Sequence, residues 1–291
     1  MRRSVITGAA VAVALLAAGA LTHPVTAPAG ASRVAARESG GDWLLRMAER
    51  AAQPPRPAEQ ARGERLLTEA ISLLRATPSV RIAEDITVTK GQRIRVDLRM
   101  NRHGDCAGTL DAGVGKRGDI IFIAARKGHE AEGYLKYTDT ALNEMRALAL
   151  RADPDTTERV LPRLTQARGK YVKLPQGPRG TDPFAKQCRI GQTLGSMASD
   201  VAGTRARPAV RRAGHRLIPL VPPADSANSK DTGTVYVDAD GKPYLRSMEG
   251  TSGGKPLSLT FSAYGEPVPA HRPDPALTVE FPPDEDSVFA V

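Results

Sequence analysis

The stretch Gln92-Arg-Ile-Arg-Val-Asp-Leu-Arg-Met-Asn101 alternates apolar and charged side chains along most of its length. Its apolar positions are Ile94, Val96, Leu98 and Met100. Successive side chains of a β-strand point to opposite faces, so this period of two predicts a strand with one apolar face and one face in water. The turn Asn101-Arg-His-Gly-Asp105 follows, and Cys106-Ala-Gly-Thr-Leu110 starts a return strand. Together they predict the wall of a curved antiparallel sheet.

Further strands are predicted on both sides of a helical middle section. The first group, after a helix at about 58–75, has four or five strands, at 79–89, 92–101, 106–112, 119–125 and 132–137. Helices are predicted at 139–151, 153–167 and 184–198, and the second group of strands at 215–220, 234–238, 243–249 and 256–261. Short turns within each group favour antiparallel pairing and an α+β fold. The segment 119–125 is apolar on both faces and predicts a central strand covered on both sides.

The amino terminus has the three parts of a secretory signal peptide. Arg2 and Arg3 precede an apolar run from Val5 to Leu21, and Ala29-Gly-Ala31 supplies the small residues of a cleavage site. We expect residues 1–31 to be removed on export, so that the protein is secreted or lies at the extracellular face of the cell membrane. An uncleaved membrane anchor is the alternative, since the run has the minimum length for spanning a bilayer.

The rest of the chain divides into a linker, a domain and a tail. Residues 32–57 are rich in Ala, Arg and Pro and predict a linker with a short amphipathic helix around Trp43, the only tryptophan. Residues 58–282 predict the β-sheet and helix domain. After Pro267 the chain is rich in proline and predicts little regular structure, and 283–291 predicts a loose tail.

The charge of the chain bears on its partners. The formal net charge is +9, and it falls to +7 without the two arginines of the signal peptide. A basic excess suits an anionic membrane surface or cell-wall polymer. Aromatic residues make up only 4% of the chain and do not interleave with the basic runs, so we expect no nucleic-acid partner. We expect a monomer.

Five arginines lie close together in the sequence and are named here the basic cluster. Its members are Arg205, Arg207, Arg211, Arg212 and Arg216. No acidic residue lies between Gly203 and Arg216, so the cluster is a candidate contact for an anionic surface. A solvated basic loop is the alternative.

The chain has two cysteines, Cys106 in a predicted strand and Cys188 in a predicted helix. Outside the cell thiols pair by default, so we expect a disulfide that joins the sheet to the helical middle section. Two free thiols are the alternative.

The sequence offers no arrangement of residues for catalysis. No histidine pair has metal-ligand spacing, and no serine lies in a nucleophile elbow. Gly113-Val-Gly-Lys-Arg-Gly118 has too few residues between its glycines for a phosphate loop and separates two predicted strands. We therefore expect no enzyme, no catalytic residue, no metal and no cofactor. A hydrolase would need a nucleophile and a base that the sequence does not show.

Four groups of residues between about Leu66 and Phe281 form a further pattern: Cys106 with Gly108-Thr-Leu110, Gly169-Lys-Tyr-Val-Lys173, Gly233-Thr-Val-Tyr-Val-Asp238 with Gly241-Lys-Pro-Tyr244, and Phe261-Ser-Ala-Tyr-Gly-Glu-Pro-Val268. In these residues and in the order of its elements the chain resembles the LolA-like exported lipoprotein carriers of the LppX and LprG type. The resemblance implies a strongly curved antiparallel sheet, an incomplete barrel, that wraps helices and holds acyl chains between sheet and helices. Unlike these carriers, the chain has no cysteine for lipid modification at its mature start, and 33–57 has no counterpart in them.

The resemblance thus predicts an exported, non-enzymatic protein that shields the acyl chains of a lipid or other amphiphile in an apolar cavity. The candidate lining residues are Ile94, Val96, Leu98, Met100, Ile121 and Ile123. Ordinary packed core is the alternative for these six. An interaction or sensor module of the cell envelope, with the same fold and no bound lipid, is the alternative function.

Overall fold

The computed structural model describes residues 57–89, 92–178, 180–190, 201–223, 232–252 and 254–282. The described chain contains the α-helices α1 (Ala58–Ala76), α2 (Asp139–Ala149), α3 (Pro154–Ala167) and α4 (Thr181–Gln187). None of these helices is both long and apolar enough to cross a membrane. The predicted signal peptide, the tail at 283–291 and, except for Pro57, the linker lie outside the described residues.

The described strands form one sheet. They are β1 (Ser79–Thr89), β2 (Gln92–Asn101), β3 (Cys106–Asp111), β4 (Arg117–Ile123), β5 (Glu132–Tyr137), β6 (Tyr171–Lys173), β7 (Arg205–Ala206), β8 (Val210–Arg212), β9 (His215–Val221), β10 (Thr232–Asp238), β11 (Leu245–Ser252), β12 (Lys255–Ser262) and β13 (Thr278–Glu280). Their order is β13-β6-β5-β4-β3-β2-β1-β12-β11-β10-β9-β7, with β8 paired to β9. The sheet is unclosed and antiparallel except between β13 and β6. The prediction of an α+β fold with a large antiparallel sheet is confirmed.

The two predicted strand groups meet at the pair β1 and β12. Ile82 pairs with Phe261 and Ile86 with Leu257, so a strand from each group continues the same ladder. The side chains of these four residues are buried on one face of the sheet, named here the inner face. On β2 the predicted alternation is present, because Ile94, Val96, Leu98 and Met100 are buried there.

Two groups of helices cover different parts of the inner face. Helix α1 packs against β7, β9, β10 and β11, and its buried stripe is Leu67, Ala70, Ile71 and Leu74. Gly63 allows this close approach, since a Cβ atom there would lie 2.5 Å from the carbonyl oxygen of Thr204. Helices α2 and α4 lie against β4, and α3 packs on α2. Apolar residues from both groups of strands and all four helices form one core.

Two predictions for the second half of the chain differ from the structure. After Pro267, Thr278–Glu280 forms β13 and pairs in parallel with β6, with Val279 beside Val172. The third helix of the middle section begins at Thr181, earlier than the predicted start at 184, and ends at Gln187, with Cys188 at its C-cap. Residues 191–200 lie outside the described residues.

The strand predicted to be covered on both sides is covered fully on only one. Within β4, Ile120 and Phe122 are buried on the inner face, whereas Ile121 and Ile123 lie on the opposite, outer face and are partly exposed. Tyr134 of β5 pairs with Ile121 and shields part of that outer face. A strand that is apolar on both faces therefore need not have a layer of structure on each side. One large aromatic side chain on a neighbouring strand can shield part of the second face.

The predicted disulfide is present. Cys106 and Cys188 are bonded, with their Cα atoms 5.6 Å apart, and both side chains are fully buried. The bond closes a loop of 82 residues and attaches the end of α4 to the inner face of β3. Phe184, one turn earlier in α4, is buried as well, so the bond and the apolar contact hold the same helix.

We predict that replacing both cysteines by alanine lowers the free energy of unfolding by up to about 4–5 kcal/mol, the chain-entropy value for so long a loop. Urea denaturation of the double variant and of the wild type, with and without a reductant, measures the loss. Reduced wild type should unfold near the midpoint of the variant. An unchanged midpoint, or two thiols that react with an alkylating agent before unfolding, would contradict the prediction.

Candidate functional site

An apolar cavity of about 320 Å³ lies between the sheet and helices α2 and α3. Its lining residues are Leu110, Val114, Gly115, Lys116, Leu135, Tyr137, Met145, Leu148, Ala149, Ala152, Thr156 and Val160. Sites for small ligands are concave, mostly apolar and roughly 300–1,000 Å³ in volume, with a few polar groups. The lining residues with polar side chains are Lys116, Tyr137 and Thr156. The cavity is open to solvent on one side.

The two helices that form the roof of the cavity start at well-defined caps. Thr138 accepts a hydrogen bond from the N–H of Ala141 at 3.2 Å and caps α2. Asp153 accepts one from the N–H of Thr156 at 2.9 Å and caps α3. The hydroxyl of Thr157 donates to the carbonyl oxygen of Ala149 at 2.6 Å, which ties the start of α3 to the end of α2. Caps of this kind fix where each helix begins, and so which side chains face the sheet.

A polar clamp joins the turn between β3 and β4 to helix α2. The Glu144 carboxylate accepts hydrogen bonds from the N–H of Gly115 at 2.8 Å and from Arg117 at 2.7 Å, and Arg117 also donates to Asp111 at 3.0 Å. The Gly115 hydrogen bond, followed by that of Arg117, lowers the pKa of Glu144. Gly115 has φ +70°, and a Cβ there would lie 2.9 Å from Cγ of Met145, so glycine suits this position in two ways. The clamp holds one wall of the cavity in place.

The open side of the cavity carries exposed apolar side chains. Val114 is 63% exposed and Leu148 is 52% exposed, and both line the cavity. Lys116, in the same turn as Val114, is partly exposed. The open side of the cavity thus combines exposed apolar side chains with a nearby cation.

One carboxyl group lies among the apolar side chains of the inner face. Glu84 of β1 occupies the position between Ile82 and Ile86, and its register partners are Val96 and Leu259. Its Oε1 is shielded from solvent and has no hydrogen-bond partner in the described structure. Burial raises the pKa of this carboxyl to about 8. Glu84 is therefore mostly protonated at neutral pH.

The six candidate lining residues lie elsewhere. Ile94, Val96, Leu98 and Met100 are buried on the inner face, and Ile121 and Ile123 are on the outer face. None of the six is among the residues that line this cavity. A ligand contact by any of them stays a prediction.

The basic cluster is exposed, and the fold brings acidic residues to it. Three of its arginines form ion pairs: Arg207 with Glu59 at 3.8 Å, Arg212 with Glu249 at 2.8 Å and Arg216 with Asp240 at 2.9 Å. Arg212 also lies over the ring of Tyr236, 4.5 Å from its centroid. The net positive charge at this surface is thus smaller than the sequence suggests. Its binding to an anionic surface stays a prediction.

A second depression, of about 540 Å³, crosses the outer face of β12, β1, β2, β3 and β4. Seven of its fifteen lining residues are charged, and some of these pair with each other, as Arg117 does with Asp111 at 3.0 Å. Among the described residues, no three His, Cys, Asp or Glu side chains are grouped so that they could hold a metal ion. The apolar cavity is therefore the better candidate for a binding site.

Several lining residues were missed because their local patterns suggest surface or core. Met145 and Ala149 belong to the buried stripe of α2, and stripe residues are normally plain core. Val114 and Leu148 could have been recognised from the sequence. Val114 is a large apolar residue in a turn, and Leu148 lies off the buried stripe of its helix. Such residues are the ones that can rim an open apolar site.

No protein-family model matches the chain, and no curated protein matches it. The chain is similar to the solved structure of LprF from Mycobacterium bovis, with 12% identity and a TM-score of 0.48 over 73% of this chain and 97% of that chain. It is also similar to the lipoprotein LppX from Mycobacterium tuberculosis, with 14% identity and a TM-score of 0.40 over 72% and 99% of the two chains. A LolA superfamily protein from Nitrosomonas europaea is similar at 8% identity, with a TM-score of 0.24 over 75% and 97%. These are proteins of the class that the sequence resembles.

We predict that Glu84→Gln stabilises the protein at neutral pH by roughly 2–3 kcal/mol. The pKa of Glu84 is about 8 when folded and near 4.5 when unfolded, so the wild type loses stability as pH rises between these values. The gain of the variant should vanish near pH 4, grow up to about pH 8 and then stay constant. Chemical denaturation at several pH values measures it.

The matched control is Glu130→Gln, a change at an exposed turn position. The free energy of unfolding of this variant should differ from that of the wild type by an amount that is nearly independent of pH. A Glu84→Gln variant that is less stable than wild type at pH 8 would show that the carboxylate has a stabilising partner.

Proposed function

We propose that this protein is an exported, non-enzymatic carrier of a lipid or similar amphiphile. The acyl part would occupy the cavity between the sheet and helices α2 and α3, and the head would stay near the open side. The observation that carries the proposal is the cavity itself, which is apolar and open at a rim of exposed apolar residues.

Packing supports this use of the cavity. Protein interiors are close-packed, and voids much larger than a water molecule are few. A space of about 320 Å³ next to Leu135, Met145 and Val160 exposes apolar surface that water solvates poorly. Its walls are held by the helix caps and by the Glu144 clamp, so the side chains cannot simply collapse into it. An acyl chain would replace the missing contacts.

The exported location rests on the amino-terminal sequence and agrees with the disulfide. Bonds such as Cys106–Cys188 persist in oxidising surroundings and are rare in reducing ones. A carrier outside the cytoplasm would meet membrane surfaces, where an acyl chain can enter at the rim formed by Val114 and Leu148. No covalent chemistry is needed for such a role.

The direct experiment is to extract the purified protein with organic solvent and to identify the extract by mass spectrometry. The proposal expects one lipid or a set of related lipids in near-stoichiometric amount. An empty extract, together with no binding of added cis-parinaric acid, a fluorescent fatty acid, would overturn it. That result would favour an interaction or sensor module.

We predict that Ala152→Trp weakens binding of cis-parinaric acid at least tenfold. Ala152 lines the cavity and is exposed, so an indole there would occupy the open side with little strain on the core. Fluorescence titration gives the affinity, and thermal denaturation checks that the fold is intact.

The control for this prediction is Ala147→Trp. Ala147 lies in α2, is exposed and does not line the cavity. It adds the same side chain five residues away and outside the cavity, and it should leave the affinity unchanged. Equal affinities of the two variants would show that fatty acid binds elsewhere.

A further inference from the structure

Charge is distributed unevenly among the residues that line the apolar cavity. Of the described lining residues, Lys116 is the only one with a charged side chain, and it belongs to the turn that carries the exposed Val114. Leu110, Leu135 and Val160, in contrast, form buried parts of the wall. The cavity therefore has an apolar interior and a cation at its open side.

The main chain holds Lys116 in a fixed place. Its carbonyl oxygen accepts a hydrogen bond from the N–H of Ala112 at 2.8 Å, and its own N–H donates to the carbonyl oxygen of Gly113 at 3.0 Å. The Glu144 clamp fixes the same turn through Gly115. Lysine lays its apolar stem along apolar surface and keeps its ammonium group in water. From this anchored position the stem can continue the apolar wall while the ammonium stays at the open side.

The acidic groups bonded to the cavity wall are already engaged by donors of the protein. The two oxygens of Glu144 accept hydrogen bonds from Gly115 and Arg117. Those of Asp153 accept from the N–H of Thr156 at 2.9 Å and from its hydroxyl at 2.8 Å. Neither acid is among the described lining residues. The wall thus presents a cation to a ligand head but no carboxylate, which favours an anionic head over a cationic one.

The size of the cavity limits the number of acyl chains. A methylene group is nearly as large as a water molecule, whose share of the liquid volume is about 30 Å³. A space of about 320 Å³ therefore takes roughly ten such groups, which is one chain of medium length. Two chains of that length would need about twice the volume.

We infer that the ligand is an amphiphile with one acyl chain and an anionic head, and that Lys116 binds the head. The inference rests on the proposed function and narrows it, because it names the ligand class and the residue that selects it. The chain fills the space beside Leu135 and Val160, and the head accepts a hydrogen bond from the ammonium of Lys116. A hydrogen bond between an ammonium and a carboxylate or phosphate is stronger than one to a neutral alcohol.

The experiment uses four ligands that share a ten-carbon chain and differ in the head: decanoic acid, decyl phosphate, decanol and decylamine. After co-purified lipid has been removed, isothermal titration calorimetry at neutral pH gives the affinity of each ligand for wild type and for Lys116→Met. In the wild type both anionic ligands should bind roughly fivefold more tightly than decanol, the size expected of an ion pair that is partly exposed.

In Lys116→Met this preference should disappear, and the affinity for decanol should stay the same. Methionine keeps an apolar side chain of similar length and both main-chain hydrogen bonds of the turn, so the wall is retained without the charge. Thermal denaturation checks that the variant is folded.

The control variant is Lys127→Met. Lys127 lies in the turn between β4 and β5, is exposed and does not line the cavity. The change removes the same charge from the protein and should leave the preference for anionic heads intact. An equal loss of preference in both variants would show that the net charge attracts the anion, and it would overturn the role of Lys116.

The number of chains is tested with didecanoyl phosphatidic acid, which carries two chains of the same length on one anionic head. It should bind the wild type more weakly than decyl phosphate does. Tighter binding of the two-chain ligand would contradict the assignment of a single-chain ligand.

Failure of this inference can be distinguished from failure of the proposed function. Equal binding of decanol and decanoic acid by the wild type, a preference that persists in Lys116→Met, or decylamine as the tightest ligand overturns the inference alone. If none of these compounds binds, decanol included, the proposed function is overturned as well.

Discussion

The pairing of β1 with β12 is the constraint on which the rest of the structure depends. It joins residues that are distant in the sequence, such as Ile82 and Phe261, and turns two groups of strands into one sheet. Without it each group would expose an unpaired edge and a half-covered apolar face. With it, the inner face runs without interruption under α1 on one side and under α2 and α4 on the other. Pairing over so long a stretch of chain is slow to form, so we expect it late in folding.

The cavity results from how the helices meet this surface. Helix α1 presents a regular stripe and packs closely, as its contact at Gly63 shows. Helices α2 and α3 instead approach the sheet at the turn between β3 and β4, where the Glu144 clamp fixes the separation. The polar contacts of the clamp lie at the edge, and the apolar side chains of Met145 and Val160 face the space inside. A rigid frame around an apolar void resists the relaxation that would otherwise fill it.

Much of the sheet could be predicted from the sequence because alternation over many residues is a strong signal. It placed Ile94 and Met100 on the buried face and the ends of β1, β2 and β5 where the structure has them. The same rule did not decide which face of β4 is the inner one, since Ile120 and Ile121 are both apolar. That choice depends on the register with β3 and β5, which only the pairing of whole strands determines.

The candidate site was harder to predict, for a different reason. A cavity is space between elements, and the spacing of α2 and α3 from the sheet is set by contacts such as that of Glu144 with Gly115, which join residues far apart in the chain. Glu84, in contrast, was visible in the sequence. In Ile82-Ala-Glu-Asp-Ile86 it takes an apolar position of an alternating strand, whereas Asp85 takes a polar one. Because Asp85 beside it is also acidic, Glu84 is recognised as unusual only when each residue is assigned to a face of the strand.

Two features of the inner face lower the stability of the protein without a ligand. The cavity removes packing contacts from Leu135 and its neighbours, and Glu84 has a shielded oxygen without a hydrogen-bond partner among the described residues. Glu84 does not line the cavity, and the buried side chain of Val96 lies between the two, so an acyl chain in the cavity would restore only the missing packing contacts. A ligand that binds only the folded state adds to its stability in proportion to the logarithm of its concentration.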